Sequence, residues 1–199
     1  MTIDVNLHQT NEDFFDNLDE IMEDTMVQMF ILHPSTESEL AHAKTVAGEN
    51  GSVFYSLPLH LHNEADENCV AFSIKDEQDR NLLPVSGKPI VIDESYLDEA
   101  LVSALGGCRG IILNATQEHE ALERFHLALG AENIGAFDTK TLSTLSMDRI
   151  VLQSSYPSRG FEEMTDAVKV ISDAMFRPEQ SIIARATKSS LELFGFRKS

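Results

Sequence analysis

Pro89-Ile90-Val91-Ile92-Asp93, a helix-patterned segment from Tyr96 to Leu105 closed by Gly106-Gly107, then Gly110-Ile111-Ile112-Leu113: this stretch decides the fold. Both apolar runs are continuous rather than alternating, the pattern of parallel strands buried on both faces. A helix between two such strands makes a right-handed βαβ unit. The same reading extends in both directions. Upstream lie the runs Ile3 to Leu7, Val27 to Leu32, Val53 to Leu59 and Cys69 to Ile74; downstream lie Asn133 to Phe137 and Arg149 to Leu152. Helices are expected at 37–47, 118–129, 139–145, 161–175 and 179–194, with Ser35 or Thr36 as a cap for the first. Eight strands alternating with helices fit a closed (β/α)8 barrel, and an open doubly wound sheet is the alternative.

The chain has 199 residues, read as one domain spanning 1–199, and its 42% hydrophobic content suffices for a sizeable core. Thirty-three acids against 15 bases give a formal net charge of −18. Such a surface repels polyanions, so nucleic acid and anionic membranes are not expected partners. Cys69 and Cys108 lie in or beside apolar runs and read as reduced. No apolar stretch has membrane-spanning length, and a cytoplasmic location is expected. The acidic segment Asn11 to Asp24 reads as an amphipathic helix with a solvated face. No phosphate-binding glycine loop follows any strand, and Ser154 and Ser155 lie in no nucleophile elbow.

Particular strand ends carry a resemblance. The chain opens Ile3-Asp4-Val5-Asn6-Leu7-His8, and its third strand ends Pro58-Leu59-His60-Leu61-His62. Its fifth ends Ile92-Asp93, and its eighth runs into Leu152-Gln153-Ser154-Ser155-Tyr156-Pro157. The tail reads Leu191-Glu192-Leu193-Phe194-Gly195-Phe196. In order and spacing these segments resemble the TatD-like metal-dependent hydrolases of the amidohydrolase superfamily. The resemblance implies a TIM-type (β/α)8 barrel, shortened here, with some helices reduced or missing. It also implies a site at the C-terminal mouth, where divalent ions activate water.

The matched positions are heavily substituted. Asn6 replaces a histidine, Asp93 replaces another, Leu113 followed by Asn114 stands at a third, Ile74 at a bridging glutamate and Ser155 at the catalytic aspartate. Isoleucine and leucine cannot ligate a cation, and serine cannot stand in for a carboxylate that accepts a proton. The expectation is therefore a degenerate barrel that lacks metal-dependent hydrolysis and binds a small molecule or a protein partner, with no cofactor. The candidate pocket comprises Asn6, His8, His60, His62, Asp93, Asn114 and Ser155. The alternative is a divergent hydrolase of a small ester, amide or phosphate, using one divalent ion (zinc, manganese or magnesium) on His8, His60, His62 and Asp93. His33 reads as a solvated loop histidine, and His42, His119 and His126 as helix residues.

Overall fold

The structure is a computed structural model, and it describes residues 2–7, 12–61, 64–83, 87–154, 156 and 160–196. Eight strands form one sheet in sequence order: β1 (Thr2–Leu7), β2 (Val27–Leu32), β3 (Val53–Pro58), β4 (Cys69–Ile74), β5 (Ile90–Asp93), β6 (Gly110–Leu113), β7 (Phe125–Leu129) and β8 (Ile150–Leu152). Every adjacent pair is parallel. The helices are α1 (Glu12–Asp16), α2 (Leu18–Asp24), α3 (Glu37–Glu49), α4 (Glu77–Arg80), α5 (Glu99–Leu105), α6 (Thr139–Thr144), α7 (Glu162–Met175) and α8 (Glu179–Phe194). This is a TIM-type (β/α)8 barrel with thin connections. Among the described residues, four-residue α4 is the only α-helix between β4 and β5, and the β3–β4 and β6–β7 connections carry only single 3-10 turns, Leu59–Leu61 and Glu120–Leu122.

Side-chain alternation divides the core into two layers. On β5, Ile90 and Ile92 face the helices while Val91 faces the barrel axis; on β6, Ile112 faces out while Ile111 and Leu113 face in. Strands apolar on both sides are what an enclosed parallel ring requires. Leu193 and Phe194 at the end of α8 join the inner layer, and the Phe196 ring lies 4.5 Å from Phe54. Gly110 has no substitute: a Cβ there would lie 1.9 Å from the Ile90 carbonyl oxygen and 2.6 Å from the Phe125 ring.

The ring is nearly closed. Among the described residues no backbone ladder joins β8 to β1. Side chains bridge that seam instead. Fully buried Asp4 accepts the Ser154 backbone N–H at 2.9 Å and the Ser154 hydroxyl, and also the Asn6 N–H at 3.1 Å. A buried carboxylate is tolerable only when donors surround it like this. Helix α8 packs over both β1 and β8, covering the seam.

Two expectations need correction. The seventh strand is Phe125–Leu129, not Asn133 to Phe137, and the segment read as a helix over 118–129 holds a 3-10 turn, Glu120–Leu122, followed by that strand. Asn133 to Phe137 instead holds a 3-10 turn, Ile134–Ala136. Asn133 ties it down by accepting the Gly130 N–H and donating to the Ala115 and Ala128 carbonyls. The acidic helix also breaks in two at Asn17.

Candidate functional site

The inward-facing residues at the C-terminal strand ends define the mouth. A register shift in β1 between Asp4 and Leu7 places an extra residue there. Beyond it the Asn6 amide reaches Gln153 Oε1 at 3.4 Å. Such bulges re-aim side chains at barrel rims. Gln153 lies just past β8. Its Oε1 also accepts the Asn114 backbone N–H at 3.1 Å, and its Nε2 donates to Asn114 Oδ1 at 2.7 Å. Asn114 follows β6 with a left-handed φ of 53°, a conformation that asparagine tolerates better than most residues. Its Nδ2 donates to Asp93 Oδ2 at 2.5 Å. The other Asp93 oxygen accepts the Ser95 N–H at 2.9 Å and its hydroxyl at 2.5 Å. A belt of side-chain hydrogen bonds thus runs Asn6–Gln153–Asn114–Asp93 around one side of the mouth.

Across from it, His33 and Lys75 complete the rim. His33 Nε2 lies 2.6 Å from the Val5 carbonyl and Nδ1 lies 2.8 Å from Ser56 Oγ. A carbonyl only accepts, so Nε2 carries a proton. Lys75 extends β4 in the inward phase of Ala71 and Ser73. Burial lowers its ammonium below the usual lysine range, against the opposing fields of Asp93, Glu39 and Asp79. Between them lies a cleft of about 460 Å³ lined by His33, Ser35, Glu39, Lys75, Asp93, Ser95 and Tyr96.

His60 does not belong to this cleft. It sits in the 3-10 turn after β3, and its Nδ1 lies 3.2 Å from both carboxylate oxygens of Asp79. Asp79 is fully buried and also accepts backbone N–H groups of His60, of Lys75 at 2.6 Å and of Asp76 at 3.1 Å. Asp76 in turn caps α4. This clasp fastens the β3 and β4 exits to each other.

Would the residues fit a divalent ion? At the mouth the donor set is poor. Asp93 already accepts three hydrogen bonds, both ring nitrogens of His33 are engaged, Glu39 accepts the Ser35 N–H, and Lys75 places a cation among them. Among the described residues, the one group of three potential ligands within 4.8 Å of one another is His60, Asp76 and Asp79. Taking an ion there would strip Asp79 from three backbone donors, which is expensive for buried groups. The described residues do not fit the metal centre that the resemblance implies.

Of the sequence-expected pocket, the structure brings together Asn6, Asp93 and Asn114 and sets His60 apart. His8, His62 and Ser155 lie outside the described residues. His33 is corrected: it is anchored at both ring nitrogens instead of lying solvated in a loop. His126 is on β7, and His119 precedes a 3-10 turn and donates to Glu94 at 2.7 Å, so neither is in an α-helix. Ile74 faces the outer layer, so the mouth-facing position on that strand belongs to Lys75. Lys75 and Gln153 were missed as site residues. The small, polar, alternate-position series Ala71, Ser73, Lys75 was the signal for the first.

No family model matches the chain, and no curated protein matches it in sequence. Solved structures do match. A TatD homologue from Escherichia coli K12 superposes with a TM-score of 0.77 at 13% identity, covering 98% of each chain. A TatD-family hydrolase from Entamoeba histolytica gives 0.70 at 8% identity, over 96% of this chain and 97% of that one. An uncharacterized amidohydrolase from Saccharomyces cerevisiae gives 0.68 at 8%, over 96% and 99%. At 8–13% identity these likenesses show the fold: the eight-stranded TIM-type barrel that the TatD homologues share.

Proposed function

We propose that this barrel has given up metal-dependent hydrolysis and acts as a binding protein, taking a small polar molecule into its mouth. The observation that carries the reading is the hydrogen-bonded belt from Asn6 to Asp93. It joins neutral amides to the rim's carboxylate, where a hydrolase of this fold needs imidazoles and free carboxylates converging on an ion. Lys75 reinforces it, because an ammonium at the rim opposes a cation. The cleft itself is polar and open, suited to a ligand with several hydroxyl or amine groups.

A divergent single-metal hydrolase acting on a small ester, amide or phosphate is the second reading. It draws on the His60, Asp76 and Asp79 cluster. Metal analysis of protein purified without chelator, paired with thermal melts in added Mn²⁺ or Zn²⁺, separates the two. An ion that binds only the folded chain must raise the melting temperature. The binding-protein reading expects no bound metal and no shift. A metal near one per chain, lost together with a Tm gain in Asp76→Ala, would refute it.

A further inference from the structure

We propose that the end of the barrel opposite the mouth binds a small phosphate-bearing anion between Arg109 and Arg124. The pleat brings these two residues together. Ile111 and Ala128 belong to the inner layer, so Arg109 on one strand, and Arg124 and His126 on the next, fall in the axis-facing phase. Gly110 pairs with Phe125, which sets the two preceding arginines side by side at the starts of β6 and β7. With His126, and with Ser189, Glu192 and Leu193 of α8, they line a cleft of about 320 Å³.

The charge at this cleft runs against that of the whole chain. Thirty-three acids and 15 bases leave a net −18, so acids are plentiful, and three other bases at this end each have one. Arg149 pairs with Glu118 at 2.8 Å, Lys188 with Glu192 at 3.4 Å, and Arg185 with Asp148. Among the described residues neither Arg109 nor Arg124 has an acid partner. The Arg124 guanidinium reaches only the Gly107 carbonyl, at 3.4 Å, and that of Arg109 makes no hydrogen bond. One cation without an acid is ordinary, as Lys140 and Arg177 are. Two that line one cleft from adjacent strands set like charges together, which an anion between them relieves. Glu192 is the one acid lining the cleft, and Lys188 holds it. Glu120 and Glu123 line a neighbouring cleft that shares Arg124.

The donors select the chemistry of the ligand. A guanidinium is a planar fork of N–H groups that matches phosphate or carboxylate oxygens two at a time. A single carboxylate would fill one fork and neutralise one of the two charges, whereas a phosphate dianion meets both. Charge also sets the size. The acidic surface beyond the cleft repels an extended polyanion, which disfavours a nucleic-acid strand or an acidic polypeptide and leaves a small phosphate or phosphate ester. This site is separate from the mouth and stands whether or not the mouth binds a ligand.

The test titrates inorganic phosphate and glycerol 3-phosphate into the full chain at fixed ionic strength, read by amide NMR shifts and calorimetry. Both should bind saturably, with the largest shifts around Gly110 and Phe125. Arg109→Gln and Arg124→Gln should each weaken binding about tenfold or more, because each removes a charge-assisted fork. Arg109→Lys keeps the charge without the fork and should weaken it less. Both arginines are exposed, so the variants should melt as the parent chain does. Tighter binding of the ester assigns the site to a phosphorylated metabolite, and equal binding assigns it to free phosphate. No saturable binding by about 10 mM, or undiminished binding in the variant carrying both glutamines, overturns the inference. So does tighter binding of hexaglutamate than of either phosphate, which would mark a surface for acidic polypeptides instead.

Discussion

Removing the Asp79 carboxylate tests whether the clasp between the β3 and β4 exits is structural. In Asp79→Ala, the backbone N–H groups of His60, Lys75 and Asp76 lose their acceptor, and His60 Nδ1 loses its partner. A hydrogen bond to a charged group contributes about 1.5–3 kcal/mol, and an unpaired buried donor costs about 1–3 kcal/mol. Three backbone donors would give about 5–9 kcal/mol if wholly dry. The residues that carry them are only partly buried, so water recovers part of this and roughly 3–5 kcal/mol is expected. Small domains are stable by about 5–15 kcal/mol, so the variant should be severely weakened but measurable at low temperature. Asp79→Asn keeps one acceptor oxygen and should lose less, roughly 2–3 kcal/mol. Urea denaturation followed by far-UV circular dichroism gives both values, and amide exchange at His60 and Lys75 localises them. A loss under about 1 kcal/mol for Asp79→Ala would refute the clasp. A chelator that destabilises the native chain as much as the substitution does would show instead that the cluster holds an ion.

Two other perturbations follow from local geometry. Phe176 ends α7 in a left-handed conformation with φ of 52° while 91% exposed, so Phe176→Gly relieves backbone strain without losing packing. A gain of about 0.5–1 kcal/mol in chemical denaturation is expected, and a loss would mean that the ring has a partner. Burial lowers the His126 imidazole below 6.5, outweighing the raising influence of the Gly110 carbonyl. Below that pH the unfolded chain binds more protons than the folded one, so native stability is full above 6.5 and falls as pH drops through the window. Relative to His126→Gln, the native chain should lose at most about 1.4 kcal/mol per pH unit there; an NMR titration midpoint at or above 6.5 would contradict this.

Most of the ring was legible because its strands are written as unbroken apolar blocks. Strand β7 was not, and the reason is periodicity. Leu122, Phe125, His126 and Leu129 fall at helical spacing, so a helix-period reading absorbs them. The same residues also alternate, with Phe125, Leu127 and Leu129 outward and His126 and Ala128 inward. With a histidine and an alanine on the inner face, β7 lacks the continuous apolar signature of its neighbours. A short segment can satisfy both periods, and the deciding interaction is non-local: its pairing with β6 and β8.

The site divides along the same line. Which matched positions cannot ligate a cation was readable one by one, because a leucine or isoleucine excludes ligation wherever its side chain points. How the described polar residues of the mouth join one another was not readable. The Asn6–Gln153 bond spans 147 residues and the Asn114–Gln153 pair 39, so neither leaves a local pattern. Lys75 is the more instructive miss. Matching a motif placed attention on Ile74, whereas a strand's two-residue period assigns the axis-facing phase to Ala71, Ser73 and Lys75. In a barrel, the phase of the pleat decides which residue can meet a ligand. A one-residue error in phase exchanges an inert core side chain for the ammonium that dominates the rim.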